Sequence, residues 1–176
     1  MKLLDKLNEI WEDTDYAFLI HNGNELKFSQ IASQNLVDLS LVKAGDVVAI
    51  IGDFNPLSIL TLLRLIDLGV IVVPLTIQTV HEHEYFFESA LVNVVIKDGV
   101  ATRRNHNQKH EFIESLRKLN HAGLVLFSTG TTGRPKAILH DLTFFLKRFE
   151  TPRPTLRTIN FLKSLMPIRP KFEGIQ

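Results

Sequence analysis

Between Gly123 and Lys136 the chain reads Gly-Leu-Val-Leu-Phe-Ser-Thr-Gly-Thr-Thr-Gly-Arg-Pro-Lys. Four hydroxyls (Ser128, Thr129, Thr131 and Thr132) and two glycines (Gly130 and Gly133) fill six consecutive positions. That mixture neither packs a core nor suits a helix interior, so it reads as a loop. Glycine lets the backbone reach positive φ, and successive N–H groups can then converge into a concave nest for an anion. The hydroxyls add donors. Lys136, placed behind the φ-fixing Pro135, adds a compact positive charge of the kind that meets phosphate oxygens. The chemistry predicted is a phosphate cradle, although composition alone fits a ligand-free Gly/Thr-rich surface turn equally well.

Such a loop needs a rigid element to carry it. Leu124 to Phe127 is a short apolar run that ends where the hydroxyls begin, as a buried strand does. Upstream, Val47 to Ile51 is continuously apolar and predicts a strand buried on both faces. Asn55-Pro56 supplies an N-cap and a first-turn proline, Leu57 to Leu68 carries a helix, Gly69 stops it, and Val70 to Val73 is apolar again. This is a βαβ unit, whose strands should lie parallel and whose crossover should be right-handed. Residues 81–90 predict a further helix and 92–96 a further strand, closed by the Asp98-Gly99 turn. Glu111 to Leu119 is a helix with Phe112, Ile113, Leu116 and Leu119 on one stripe.

The remaining segments fit the same α/β alternation. Leu3, Leu4, Leu7, Ile10 and Trp11 fall at helical spacing, and residues 16–20 and 25–28 flank a hairpin turned at Asn22-Gly23. Ser29 is expected to cap a helix over 30–41. Thr102 to His110 is polar and basic and reads as an exposed connection. After Lys136, Ala-Ile-Leu is a short extended run, and Asp141 can cap a helix bearing Leu142, Phe145, Leu146 and Phe149. His140 at that junction reads as structural. Residues 155–162 predict another strand, and 163–176, with two prolines and no periodicity, an irregular tail.

The chain has 176 residues, 45% of them hydrophobic, enough for one core, and a net charge of +1. Residues 134–171 hold nine Lys/Arg against two acids, which reads as a solvated basic face; no stacking aromatics or reading motif accompany it, so nucleic acid is not expected. The absence of cysteine removes disulfides and thiolate chemistry and fits a reducing, cytoplasmic setting. No stretch approaches the roughly 20 apolar residues of a membrane span. His81 with His83, His106 with His110, and His121 lack the flanking ligands of a zinc site, so no metal site is expected in the chain.

The order Ser-Thr-Gly-Thr-Thr-Gly-x-Pro-Lys over Ser128–Lys136 closely resembles the phosphate loop of the AMP-forming adenylating enzymes: acyl- and aryl-CoA synthetases, peptide adenylation domains and luciferases. It is not the P-loop of NTPases, which needs Gly-Lys-Ser/Thr where this chain has Gly133-Arg-Pro-Lys-Ala. Ala44 to Gly52, Asn55-Pro56, and the run through Leu75 are similar in order and spacing to the same family's amino-terminal part, so the resemblance covers roughly residues 1–162, although only the loop is specific. One departure is Ala137, where the family usually has glycine. The resemblance implies an α/β fold with a mostly parallel sheet flanked by helices, part of the family's amino-terminal domain. It also implies ATP as the ligand of Ser128, Thr129, Gly130, Thr131, Thr132, Gly133 and Lys136, with Mg²⁺ arriving on ATP.

In the family reaction a carboxylate attacks the α-phosphorus of ATP, and the acyl group then passes to a thiol such as coenzyme A. The family's aromatic-Gly-x-Thr-Glu motif, ribose-binding aspartate and mobile-domain lysine lie downstream, and none matches within the forty residues after Lys136. The expectation is a ligase fragment over 1–162, inactive alone, for a fatty or other acyl acid. Its uncovered apolar surface would lead it to self-associate or to take missing elements from a second chain. A noncatalytic module that binds nucleotide phosphates or a partner is the alternative.

Overall fold

A computed structural model describes residues 2–33, 37–105, 108–128 and 133–148. The chain divides into a compact unit of residues 1–143 and a second of 144–176, of which 144–148 are described. The strand expected at 155–162 and the boundary at 162/163 lie outside the described residues.

Six strands form the main sheet in the order β6-β5-β3-β4-β7-β8. Its four inner strands, β3 (Val47–Ile51), β4 (Ile71–Leu75), β5 (Val94–Lys97) and β7 (Gly123–Ser128), run parallel. β6 (Val100–Arg103) and β8 (Lys136–Asp141) are antiparallel edges. The sheet is thus mostly parallel, as read from the sequence. β1 (Leu19–His21) and β2 (Asn24–Leu26) form the expected separate hairpin, with Asn22 at φ 51 and Gly23 at φ 74 giving the two positive-φ positions of a type I′ turn.

Alternation along the inner strands buries both faces. Val47, Ala49, Ile71, Val73 and Val125 pack under α4 (His83–Ser89) and α5 (Glu111–Leu119), whereas Val48, Ile50, Val72, Val94 and Ile96 pack on the other face with Leu65 of α3 (Pro56–Asp67). The step β3 to β4 and the return step β4 to β5 run in opposite directions across the sheet. A constant crossover hand therefore puts α3 and α4 on opposite faces. β6 reverses the chain before α5, so β6 and β7 are antiparallel and the hand rule does not bind α5, which joins α4.

The local signals of α3 act as expected. Asn55 Oδ1 accepts from the Ser58 N–H at 2.8 Å, Pro56 occupies the first turn, and Gly69 leaves the helix at φ 71. At its far end Asp67 accepts from the first amides of α1 (Leu3–Trp11), Leu3 at 2.6 Å and Leu4 at 3.1 Å.

Three expectations fail, each because a side chain finds a nonlocal or competing partner. α2 (Phe28–Ala32) begins before Ser29: Gln30 accepts from the Lys27 amide at 2.8 Å, and Phe28 sinks into a ring cluster with Phe18, 5.0 Å away. The helix does not run to 41, because Asp38 captures the Ser40 amide at 2.9 Å and holds a turn there. The basic connection from Thr102 is also not all loop. Thr102 and Arg103 belong to β6, where Arg103 reaches Asp46 with both terminal nitrogens, at 3.0 and 3.1 Å.

Asp46 is 6% exposed and also accepts from Asn93 Nδ2 at 2.7 Å and the Lys43 amide at 2.8 Å, so one carboxylate ties together the starts of β3 and β5 and the end of β6. Replacing it leaves several donors without an acceptor, Arg103 among them. Asp46→Ala should lower unfolding free energy by about 2 kcal/mol in urea titration; a change below about 0.5 kcal/mol would show that solvent satisfies those donors. At Gly123 an added Cβ would lie 2.8 Å from Leu116 Cδ1 and 3.0 Å from Ile71 Cγ1. Gly123→Ala should therefore cost about 1–3 kcal/mol by overpacking, read from the same titration.

Candidate functional site

The glycine- and hydroxyl-rich segment connects β7 to β8 as a hairpin. Six residue pairs join these strands, from Gly123 opposite Asp141 to Ser128 opposite Lys136. By contrast β7 pairs with β4 only at Ile71–Gly123 and Val72–Leu124. Beyond Leu124 the hairpin has no partner in β4, and it runs on in the direction of the carboxyl ends of the parallel strands as far as Ser128 and Lys136. In open α/β sheets that end is where ligands bind.

Alternation gives the hairpin two faces. Val125, Phe127, Ala137 and Leu139 turn toward α4 and α5, where Val125 is buried and Phe127 and Leu139 pack on the core. Leu126, Ser128, Lys136 and Ile138 turn the other way. Ser128 and Lys136 are direct partners, so the hydroxyl and the ammonium rise side by side, with Cβ atoms about 5 Å apart as cross-strand neighbours are. Lys136 is exposed, and no carboxylate among the described residues pairs with it. Leu126 and Ile138 beside them are 43% and 44% exposed, so the cation stands at the tip of an uncovered apolar strip.

Of the seven loop residues proposed to hold phosphate, Thr129, Gly130, Thr131 and Thr132 lie outside the described residues. Ser128 and Lys136 close the hairpin together, and Gly133 lies on the limb returning to Lys136. Gly133 is not in the left-handed region, so the positive φ expected of the loop's glycines is not its reason for being glycine. Among the described residues an added Cβ there would meet nothing within 4 Å, so their packing does not demand glycine either. Ala137, which stands where the family usually has glycine, pairs with Phe127 in β8 and has no positive φ. Alanine fits that backbone without strain.

Two adjacent residues of α4 hold the two limbs. The Phe86 ring lies 4.2 Å from the Phe127 ring at an interplanar angle of 31°, against the outgoing limb. The Tyr85 hydroxyl donates to the Pro135 carbonyl at 2.8 Å on the returning limb, and the Arg134 guanidinium sits 5.2 Å over the Tyr85 ring. Sequence reading missed both, because Tyr85 is fifty positions from Pro135 and nothing local marks the pairing. At the hairpin's base, His121 Nδ1 and Asp141 Oδ2 are 2.7 Å apart, and the Ala122 carbonyl accepts from the Leu142 amide at 3.0 Å.

The other candidates resolve as structure. Arg103 is committed to Asp46, and Arg104 is paired with Glu84 at 2.7 Å while its guanidinium covers Phe87 at 4.8 Å. His83 is buried, with Nε2 at 3.0 Å from the Thr76 carbonyl and 3.3 Å from Thr79 Oγ1, whereas His81 is exposed. His110 caps α5, its Nδ1 accepting from the Phe112 amide at 3.3 Å, and His140 is exposed in β8. Among the described residues no three His, Asp or Glu side chains gather as metal ligands, and no helix is long and apolar enough to cross a membrane.

No protein-family model matches the sequence, and no curated protein matches it. Solved structures do. The N-terminal subdomain of NpsA from Klebsiella oxytoca aligns over 87% of this chain at 21% identity with a TM-score of 0.61; in its complex with anthranilyl-AMSN the values are 87%, 19% and 0.58. o-Succinylbenzoate CoA synthetase (MenE) from Bacillus subtilis, in complex with the acyl-adenylate OSB-AMP, aligns over 77% at 17% identity with a TM-score of 0.51. The chain spans less than half of these structures, 44%, 43% and 40% of their lengths. With its parallel core, antiparallel β8 edge and departing hairpin, this chain has the fold found in the N-terminal subdomain of AMP-forming adenylating enzymes.

Proposed function

We propose that this chain supplies the phosphate-binding part of an ATP-dependent, AMP-forming ligase that activates a carboxylic acid, fatty or other acyl, as its adenylate for transfer to a thiol such as coenzyme A. The observation that carries the reading is the hairpin itself: Ser128 and Lys136 opposite one another on one face, at the end of a parallel strand, with Gly133 open to close approach. When a carboxylate attacks the α-phosphorus, negative charge grows on the departing pyrophosphate. An ammonium and a hydroxyl carried on paired strands beside that group would lower the barrier by stabilising the charge as it develops. The chain's part is positioning and electrostatics, with no covalent bond to the protein. Mg²⁺ would arrive on the phosphate oxygens, since the described residues offer no carboxylate cluster for it.

Adenine, ribose and acid contacts have no counterpart motif in the 176 residues, so alone the chain is expected to bind the phosphate tail without turning over. The exposed strip of Leu126 and Ile138 beside Lys136 suits cover by further polypeptide, in the same chain or a second one. The second reading is a noncatalytic phosphate-binding or partner-binding module descended from such a ligase. ATP–pyrophosphate exchange with a panel of fatty and aromatic acids separates the two: exchange supports the ligase, and ATP binding without exchange under any reconstitution supports the module.

Two substitutions test the site by isothermal titration with ATP and with tripolyphosphate. Lys136→Ala should weaken both about tenfold, the loss expected for one charge-assisted contact; unchanged affinity would remove the hairpin as the site. Gly133→Ala should leave the melting free energy within about 0.5 kcal/mol, because the fold has room for the methyl. The same methyl should weaken tripolyphosphate several-fold. Loss of stability with affinity intact would mean that the glycine serves the fold after all.

A further inference from the structure

We propose that Tyr85 is a positioning residue for the phosphate-binding hairpin, fixing through its hydroxyl the returning limb that presents Lys136; this rests on the reading of the hairpin as a polyphosphate site. The Tyr85 hydroxyl donates to the Pro135 carbonyl at 2.8 Å. That oxygen belongs to the planar peptide linking Pro135 to Lys136. In a trans peptide the carbonyl and the following N–H point in opposite directions, so holding the oxygen toward α4 turns the Lys136 N–H away from it. Pairing of Lys136 with Ser128 then sets the face on which its Cα–Cβ bond leaves the chain. Arg134 is meanwhile kept over the Tyr85 ring at 5.2 Å, on the α4 side of the limb. Tyr85 therefore sorts two neighbouring cations. The returning limb depends on this polar contact, whereas the outgoing limb is held by the apolar Phe86–Phe127 stack at 4.2 Å, which has no hydroxyl to lose.

Tyr85→Phe keeps the ring, its packing and the shelf for Arg134, and deletes one donor. A purely structural contact would change stability or weaken all ligands alike. A positioning contact should act on the phosphate tail alone. For the 176-residue chain carrying Y85F, tripolyphosphate and ATP should bind about fivefold more weakly, in keeping with one lost hydrogen bond. AMP, which lacks the phosphates that Lys136 would meet, should change less than about twofold, and the melting temperature should stay within about 2 °C. Amide hydrogen exchange at Gly133, Arg134 and Lys136 in the ligand-free protein should quicken, while exchange in α4 stays as in the parent.

Equal tripolyphosphate affinity in the two proteins, parallel weakening of AMP and tripolyphosphate, or unchanged exchange at residues 133–136 would each overturn the role of Tyr85. If the parent chain binds no tripolyphosphate, the phosphate reading falls instead. The ligand-free exchange measurement then still decides whether Tyr85 orders the limb.

Discussion

The site depends on a mismatch in strand pairing: β7 has six partners in β8 and two in β4. After Leu124 the outgoing strand has lost the sheet on one side, and an isolated two-stranded ribbon is at best marginally stable in water. The departing hairpin therefore needs another wall, and α4 provides it. Phe86 stacks on Phe127 of the outgoing limb, and Tyr85 reaches the returning one. That helix is itself anchored at its first residue, where buried His83 satisfies the carbonyl of Thr76 just after β4. The placement of the hairpin's two limbs thus descends from the sheet through α4.

The distribution of charge follows from the same framework. Three arginines near the amino ends of the parallel strands are engaged. Arg103 neutralises a buried carboxylate, Arg104 a surface one, and Arg117 donates to the Gly45 carbonyl at 2.8 Å while pairing with Glu114 at 2.6 Å. A guanidinium with fixed partners has little field left for a ligand. Lys136 differs in standing exposed with no described acidic partner, so its charge is available at the hairpin's tip. A lysine whose backbone is held in a strand is also better placed for this than one on a loose loop.

What the sequence made legible was what local chemistry dictates. α3 shows this most clearly: Asn55, Pro56 and Gly69 mark its start and stop, and the structure follows them. The strands at 47–51 and 71–75 were legible because burial on both faces makes them uninterrupted apolar runs. β6 was not, since an edge strand covered on one side can be as polar as Val-Ala-Thr-Arg, and only pairing with β5 makes it a strand. The helix expected to run to 41 is not continued at 38–40, where Asp38 offers the backbone a competing local bond. In the site, the phosphate chemistry of the loop was readable as a run of residue types, whereas its support by Tyr85 and Phe86 was not, because those contacts exist only after the sheet has formed.

Ala137 illustrates how the two levels combine. Read along the sequence, it breaks a pattern that favours glycine; read in the fold, it occupies a paired position in β8, opposite Phe127, on the face turned toward α4. A glycine there would cost backbone entropy and leave the strand without a side chain to pack. Alanine stiffens the returning limb one residue beyond Lys136 while adding only a methyl on the side away from the cation. The hairpin is thereby braced from both directions on that limb, by the Tyr85 hydroxyl before Lys136 and by strand pairing after it. The backbone that carries the cation is thus set by the sheet's own pairing and by one hydroxyl from α4.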